Sequence, residues 1–243
     1  MRAALSCGLA GPILALALAL PAWAQNSGPG RLYTPGPFER LEISGSANVR
    51  LSQGPREEIF IAGDDEVQKG VELELRRGRL TIQPNGGWKF WNSDRLQIDV
   101  TVRRLEQLEL SGASDLLAPG TFRAERLSVT ISGSGLARFD DLQAEQLRFG
   151  ISGAGEGLLR GQVAGLNVSI SGKGKLQAEQ LRAHAAAVSI SGVGSASVWA
   201  TDALRISVSG IGTVDYWGRP QLVRSTSGMA NITARGEAPP AAP

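Results

Sequence analysis

Residues 127–135 (LSVTISGSG), 147–155 (LRFGISGAG) and 166–174 (LNVSISGKG) follow one pattern three times over. Each begins with apolar residues at every second position (Leu127, Val129 and Ile131 in the first) and ends on Ser-Gly-x-Gly. Alternation with period two and β-branched enrichment is the signature of a half-buried strand, because successive side chains point to opposite faces. The i, i+3, i+4 spacing that a helix needs is absent. Working outward, Ser-Gly recurs at Ser111, Ser132, Ser152, Ser171, Ser191, Ser209 and Ser227, at intervals of 18 to 21 residues. A fixed period of this length marks stacked supersecondary units, none of which can bury its apolar face alone. The expected fold is all-β: a single-domain parallel β-helix, or β-solenoid, with coils of about 20 residues and Ser-Gly-x-Gly corners. Seven coils stacked at about 4.8 Å make a rod of roughly 35 Å.

Glycine suits such corners because it reaches positive φ without a Cβ penalty. The preceding serine can bond the local backbone or the serine of the next coil, a structural role rather than a catalytic one. Two residues before the last six of these serines stand Thr130, Gly150, Ser169, Ser189, Ser207 and Ser225, which predict a flat outer face of small residues. Such a face suits packing on another subunit or a broad surface, although crowding between stacked coils is the preferred explanation. In the last coil the inward positions are the polar Arg224 and Thr226, as a terminal repeat requires.

The region before the repeats reads as the same kind of structure. Leu41-x-Ile43 leads to Ser44-Gly45, followed by Val49-x-Leu51, Ile59-x-Ile61 and Val71-x-Leu73-x-Leu75. Arg77-Gly78 predicts a hairpin turn into Leu80-x-Ile82, and Leu96 to Val102 alternates as a further strand. No low-complexity linker intervenes, so one domain is expected over residues 30–235. The stretch 236–243 (GEAPPAAP) reads as a disordered Pro/Ala tail.

The first residues address compartment. Arg2, the apolar run 11–20 (GPILALALAL) and small residues Ala22 and Ala24 make a secretory signal peptide over residues 1–24. Cleavage removes Cys7, the single cysteine, so the mature chain has neither disulfide nor thiol nucleophile, and no transmembrane segment is expected in it. It also removes Arg2, which leaves 24 basic against 23 acidic residues. No charge run suggests a nucleic-acid track. The expected location is the periplasm, with the outer-membrane surface or the extracellular space as alternatives.

The order of the pieces Phe38-x-x-Leu41-x-Ile43-Ser44-Gly45, Val49-x-Leu51-x-Gln53-Gly54, Leu80-x-Ile82 and Leu105-x-x-Leu108-x-Leu110-Ser111-Gly112, continued by the Ser-Gly-x-Gly repeats, resembles a bacterial family of auto-transporter adhesins with a head GIN domain. The resemblance covers about residues 36–235. It implies a parallel β-helix of pectin-lyase-like shape and an adhesive role, and it carries no catalytic residues over.

Chemistry-bearing clusters are few. His184 is the one histidine, which excludes a multi-histidine metal cage. Asp64-Asp65-Glu66 and Asp140-Asp141 are acidic pairs that fit strand-end turns better than a Ca²⁺ site or a general acid–base couple. The candidate ligand or partner contact is Trp88, Phe90 and Trp91, clustered after two glycines, with Trp199 and Tyr216-Trp217 as further aromatics. The preferred role for Trp88, Phe90 and Trp91 is to plug the open N-terminal end of the solenoid or fill a groove beside it, while Trp199 and Tyr216-Trp217 could join such a patch or cover the other end. No cofactor is expected. The sequence points to an exported non-catalytic scaffold for adhesion or envelope assembly, with self-association or a surface glycan or protein as partner. The competing reading is a polysaccharide-binding or polysaccharide-processing envelope protein.

Overall fold

A computed structural model of the chain describes residues 29–85 and 96–240. Among the described residues sixteen strands form one continuous sheet that winds into a β-solenoid of about six turns. The strands are β1 (Gly30–Tyr33), β2 (Arg40–Gly45), β3 (Ala47–Gln53), β4 (Glu58–Ala62), β5 (Val71–Arg76), β6 (Arg79–Pro84), β7 (Leu96–Val102) and β8 (Gln107–Gly112). The long repeat strands follow: β9 (Asp115–Ile131), β10 (Leu136–Ile151), β11 (Glu156–Ile170), β12 (Lys173–Ile190) and β13 (Val193–Val208). The chain ends with β14 (Ile211–Trp217), β15 (Gln221–Thr226) and β16 (Met229–Ala234). A short helix, α1 (Asp65–Lys69), joins β4 to β5.

From β9 to β13 each strand pairs in parallel with the next, so equivalent residues of successive coils stack. The inward positions read from the sequence form the core: Leu147, Phe149 and Ile151 are buried, as are Leu166, Val168 and Ile170 above them. Phe122 and Phe139 meet edge to face, with ring centroids 5.8 Å apart. Gly157 makes room for a neighbouring aromatic, since a Cβ there would lie 2.5 Å from the Phe149 ring.

The Ser-Gly corners stack in one column, but for a reason other than the one expected. Among the corner glycines only Gly45 (φ 97°) and Gly112 (φ 93°) are left-handed. At Gly133, Gly153, Gly172, Gly192, Gly210 and Gly228 the constraint is proximity: a Cβ would fall 1.9–2.3 Å from the glycine carbonyl oxygen of the coil below. That same oxygen accepts a backbone hydrogen bond two residues past each serine, as in Ala154 N to Gly133 O (3.0 Å). The serines bond to the neighbouring coil, to its serine as anticipated and to its backbone rather than the local one. Ser44 and Ser111 share a 2.9 Å hydroxyl contact, and Ser132 donates to the Leu110 carbonyl at 3.4 Å.

The N-terminal region continues the stack downward and then closes it. β6 lies parallel beside β2, and β7 parallel beside β3, so the pair repeats the strand–corner–strand plan one level below. Beyond them β5, β4 and β1 add on antiparallel. The Arg77-Gly78 turn is the expected hairpin, with positive φ at both residues (49° and 72°). α1 was not anticipated. Asp64 is its N-cap, accepting from the Glu66 and Val67 amides. Gln68 is buried and ties this end together: its amide nitrogen donates to the carbonyls of Ile61 (2.8 Å) and Gly63, and its oxygen accepts from the Tyr33 hydroxyl (3.0 Å).

At the far end β15 and β16 are the last strands. Arg224 and Thr226 stack on Ile206 and Val208, as the sequence predicted, and are exposed. Arg235 grips Asp215 with two bonds of 3.0 and 3.1 Å; that hydrogen bonding and the carboxylate charge raise the guanidinium pKa above its ordinary value. Residues 236–240 run beside the solenoid, where Gly236 accepts from the Gly218 amide and Pro240 from the Gln180 side chain.

Candidate functional site

A β-solenoid converts a repeat in sequence into a column in space, so surface chemistry is best read along the stacking direction. Strand register gives each column directly. Three outer features stand out: a groove, a flat serine face, and a smaller depression near the N-terminal end.

The groove has a volume of about 980 Å³ and runs across successive coils. Its repeating unit is a triplet: Arg123-Ala124-Glu125, Gln143-Ala144-Glu145 and Gln162-Val163-Ala164, with His184 at its end; Arg182 and Ala183 continue the columns beyond the groove. Arg123, Gln143, Gln162 and Arg182 are in register, and all four side chains are exposed. Ala124, Ala144, Val163 and Ala183 form the adjacent column; Val163 and Ala183 are buried in the core, and the half-buried Ala124 and Ala144 leave some apolar surface between the walls. Glu125, Glu145, Ala164 and His184 stand beyond it. The first wall is thus rich in N–H donors and the second in carboxylate acceptors. The donor column then continues into aromatics: Trp199 pairs with Arg182, and Trp217 with Trp199. The Arg182 guanidinium lies 5.9 Å from the Trp199 ring centroid, within cation–π range.

The flat face is the column expected from the sequence. Thr130, Gly150, Ser169, Ser189, Ser207 and Ser225 stack in register, and the last four are exposed. The column extends to Glu109 and Glu42, which lie directly opposite each other. Arg79 bridges the two like charges, at 3.0 Å from Glu42 and 3.6 Å from Glu109.

The N-terminal depression, about 630 Å³, lies over a mixed row in register: Leu32, Phe60, Asp99, Arg50, Leu117 and Arg138.

The acidic pairs singled out in the sequence occupy structural roles. Asp64 and Asp65 belong to α1, and Glu66 pairs with Lys69 at 3.2 Å. Asp140 and Asp141 sit at a corner where the register shifts. Asp140 binds Arg138 (2.7 Å), and Asp141 accepts from the Thr121 hydroxyl (2.5 Å). His184 faces Asp202 at 3.4 Å. Among the described residues no cluster of three or more potential ligands could hold a metal ion. No described helix is long and apolar enough to cross a membrane. Trp88, Phe90 and Trp91 lie outside the described residues, on the connection between β6 and β7.

Residues 37–220 match the model of the family described as "Putative auto-transporter adhesin, head GIN domain". The chain belongs to this family. Solved structures share its fold. The crystal structure of a putative adhesin from Bacteroides fragilis covers 84% of this chain and 95% of its own, at 22% identity and a TM-score of 0.81. A putative adhesin from Parabacteroides distasonis covers 86% and 98%, at 18% identity and a TM-score of 0.70. A putative lipid binding protein from the same species covers 86% and 97%, at 21% identity and a TM-score of 0.63. No curated protein matches the chain by sequence. At these identities the likeness establishes the solenoid, while the head GIN family assignment is what suggests adhesion.

The groove columns were missed in the sequence reading, although they leave a trace there. Arg123, Gln143, Gln162 and Arg182 recur once per repeat, as the Ser-Gly pairs do. The signal is weak because the residue type changes from level to level and bulges alter the spacing.

Proposed function

We propose that this head GIN chain is an exported, non-catalytic β-solenoid that acts as an adhesin, holding surface partners along one side of a rigid rod. The observation that carries this reading is the groove, whose column of polar residues Arg123, Gln143 and Gln162 runs over successive coils in a family described as adhesins. The engagement of Asp140 and Asp141 by Arg138 and Thr121 supports a structural use of the best acidic pair over glycan hydrolysis. The periplasm or the outer surface is the compartment that fits, with residues 1–24 as the export signal. Trp88, Phe90 and Trp91 are proposed as a second contact, and the flat serine face as a surface for envelope assembly or self-association.

The test is attachment. Beads coated with the mature protein are scored for binding to bacterial and host cell surfaces. The expected result is attachment that falls on replacing Gln143 and Gln162 by Ala, with a smaller effect from Trp88→Ala/Trp91→Ala. Beads that bind none of these surfaces, or bind unchanged with both sets of substitutions, overturn the reading.

A further inference from the structure

We infer that the groove takes a neutral glycan chain lying along the solenoid axis, about one sugar ring per coil. This rests on the reading of the chain as a surface-binding scaffold and names its ligand class.

The walls select against charged polymers of either sign. A polyanion would run beside Glu125 and Glu145, and a polycation beside Arg104, Arg123 and Arg126. An acyl chain would strip water from both walls and offer them no hydrogen bond. Hydroxyl groups donate and accept together, so a sugar ring can satisfy a guanidinium or amide on one side and a carboxylate on the other. Its apolar face can rest on the half-buried Ala124 and Ala144.

Periodicity separates a glycan from a peptide. Adjacent strands, and hence the rungs of the donor column, lie about 4.8 Å apart. Like-facing groups of an extended peptide recur every second residue, at roughly 6.7 Å, and fall out of step by the second rung. One pyranose with its glycosidic oxygen advances by close to one rung. Four polar rungs therefore meet four consecutive sugars.

The aromatics fit the same occupant. Trp199 and Trp217 continue the donor column beyond Arg182 in register, where an indole face can stack on a sugar ring. Six rungs in all, from Arg123 to Trp217, span roughly 24 Å. Rigid β-structure holds them in place before the ligand arrives, which lowers the entropic cost of binding.

The experiment titrates the mature protein with cellohexaose, xylohexaose, mannohexaose and chitohexaose, by calorimetry and tryptophan fluorescence. Expected is binding of at least one, with affinity rising from trimer to hexamer. A Gln143→Ala/Gln162→Ala variant, checked for folding by circular dichroism, should bind it about tenfold more weakly or worse. Trp199→Ala should weaken binding and remove most of the fluorescence change, and Ser189→Arg on the flat face should leave affinity intact. Absence of binding by all four hexaoses at millimolar concentration overturns the inference. So does binding indifferent to the double substitution, or tighter binding of an alternating Thr-Ser decapeptide or of polygalacturonate. Surface attachment that persists while every hexaose fails would sink the glycan and leave the adhesin reading standing.

Discussion

Gly133 packs so closely on Gly112 that a Cβ on it would lie 1.9 Å from the Gly112 carbonyl oxygen. That oxygen also accepts the Ser134 amide at 2.7 Å, so neither backbone can retreat without breaking the ladder. Gly133→Ala is therefore expected to destabilise the fold by about 3 kcal/mol. Gly120, with open space where a Cβ would go and no positive φ, is the control. Gly120→Ala should be neutral or stabilise by about 0.4–1 kcal/mol. Thermal melts of the two variants check the contrast.

Gln68 links α1 to β1 and β4 from a buried position. Gln68→Leu keeps the bulk but strands the Ile61 carbonyl and the Tyr33 hydroxyl. A loss of about 1–3 kcal/mol is expected in urea unfolding. Adding Tyr33→Phe removes one stranded group and should recover part of that loss. A second substitution that adds its full separate cost would argue against the shared bond.

Arg77 holds φ 49° in the hairpin between β5 and β6, followed by Gly78 at 72°. This turn prefers Asn-Gly. Arg77→Asn should raise stability by roughly 0.5–1 kcal/mol, measured by the shift in melting temperature. The hydrogen bond from the Arg40 side chain goes to the Arg77 carbonyl and survives the change.

Arg79 stands between Glu42 and Glu109, which are paired in register. These groups are about one-third exposed, so screening keeps the effect modest. Arg79→Met should cost about 0.5–1 kcal/mol at low ionic strength. High salt screens the glutamate repulsion and should shrink that deficit. A deficit that salt leaves unchanged would point to lost packing instead.

The strands of this fold were legible because their signal is local. Leu147, Phe149 and Ile151 alternate within five residues and are buried as read. The corners were legible in position and misread in cause. Backbone conformation is a local property that a sequence suggests; the carbonyl of Gly112 beneath Gly133 lies 21 residues away, and only the stack brings it near. The antiparallel β5–β6 hairpin announced itself through Arg77-Gly78, whereas β1 pairing β4 across the chain did not. The groove was hidden for the same reason as the corner contacts. Its wall is assembled from residues one coil apart, and register shifts near Asp141 and Arg182 blur their spacing.

The column from Arg123 to Arg182 also acts as a ruler. Each coil touches chiefly its neighbours above and below, so the rod can be lengthened by one unit without redesign of the rest. Duplicating a single coil, such as residues 152–170, would add one rung to the groove and one to the serine face together. The reach of this protein along an extended ligand is thus a countable, heritable quantity, adjustable in whole steps by gene duplication within the repeat.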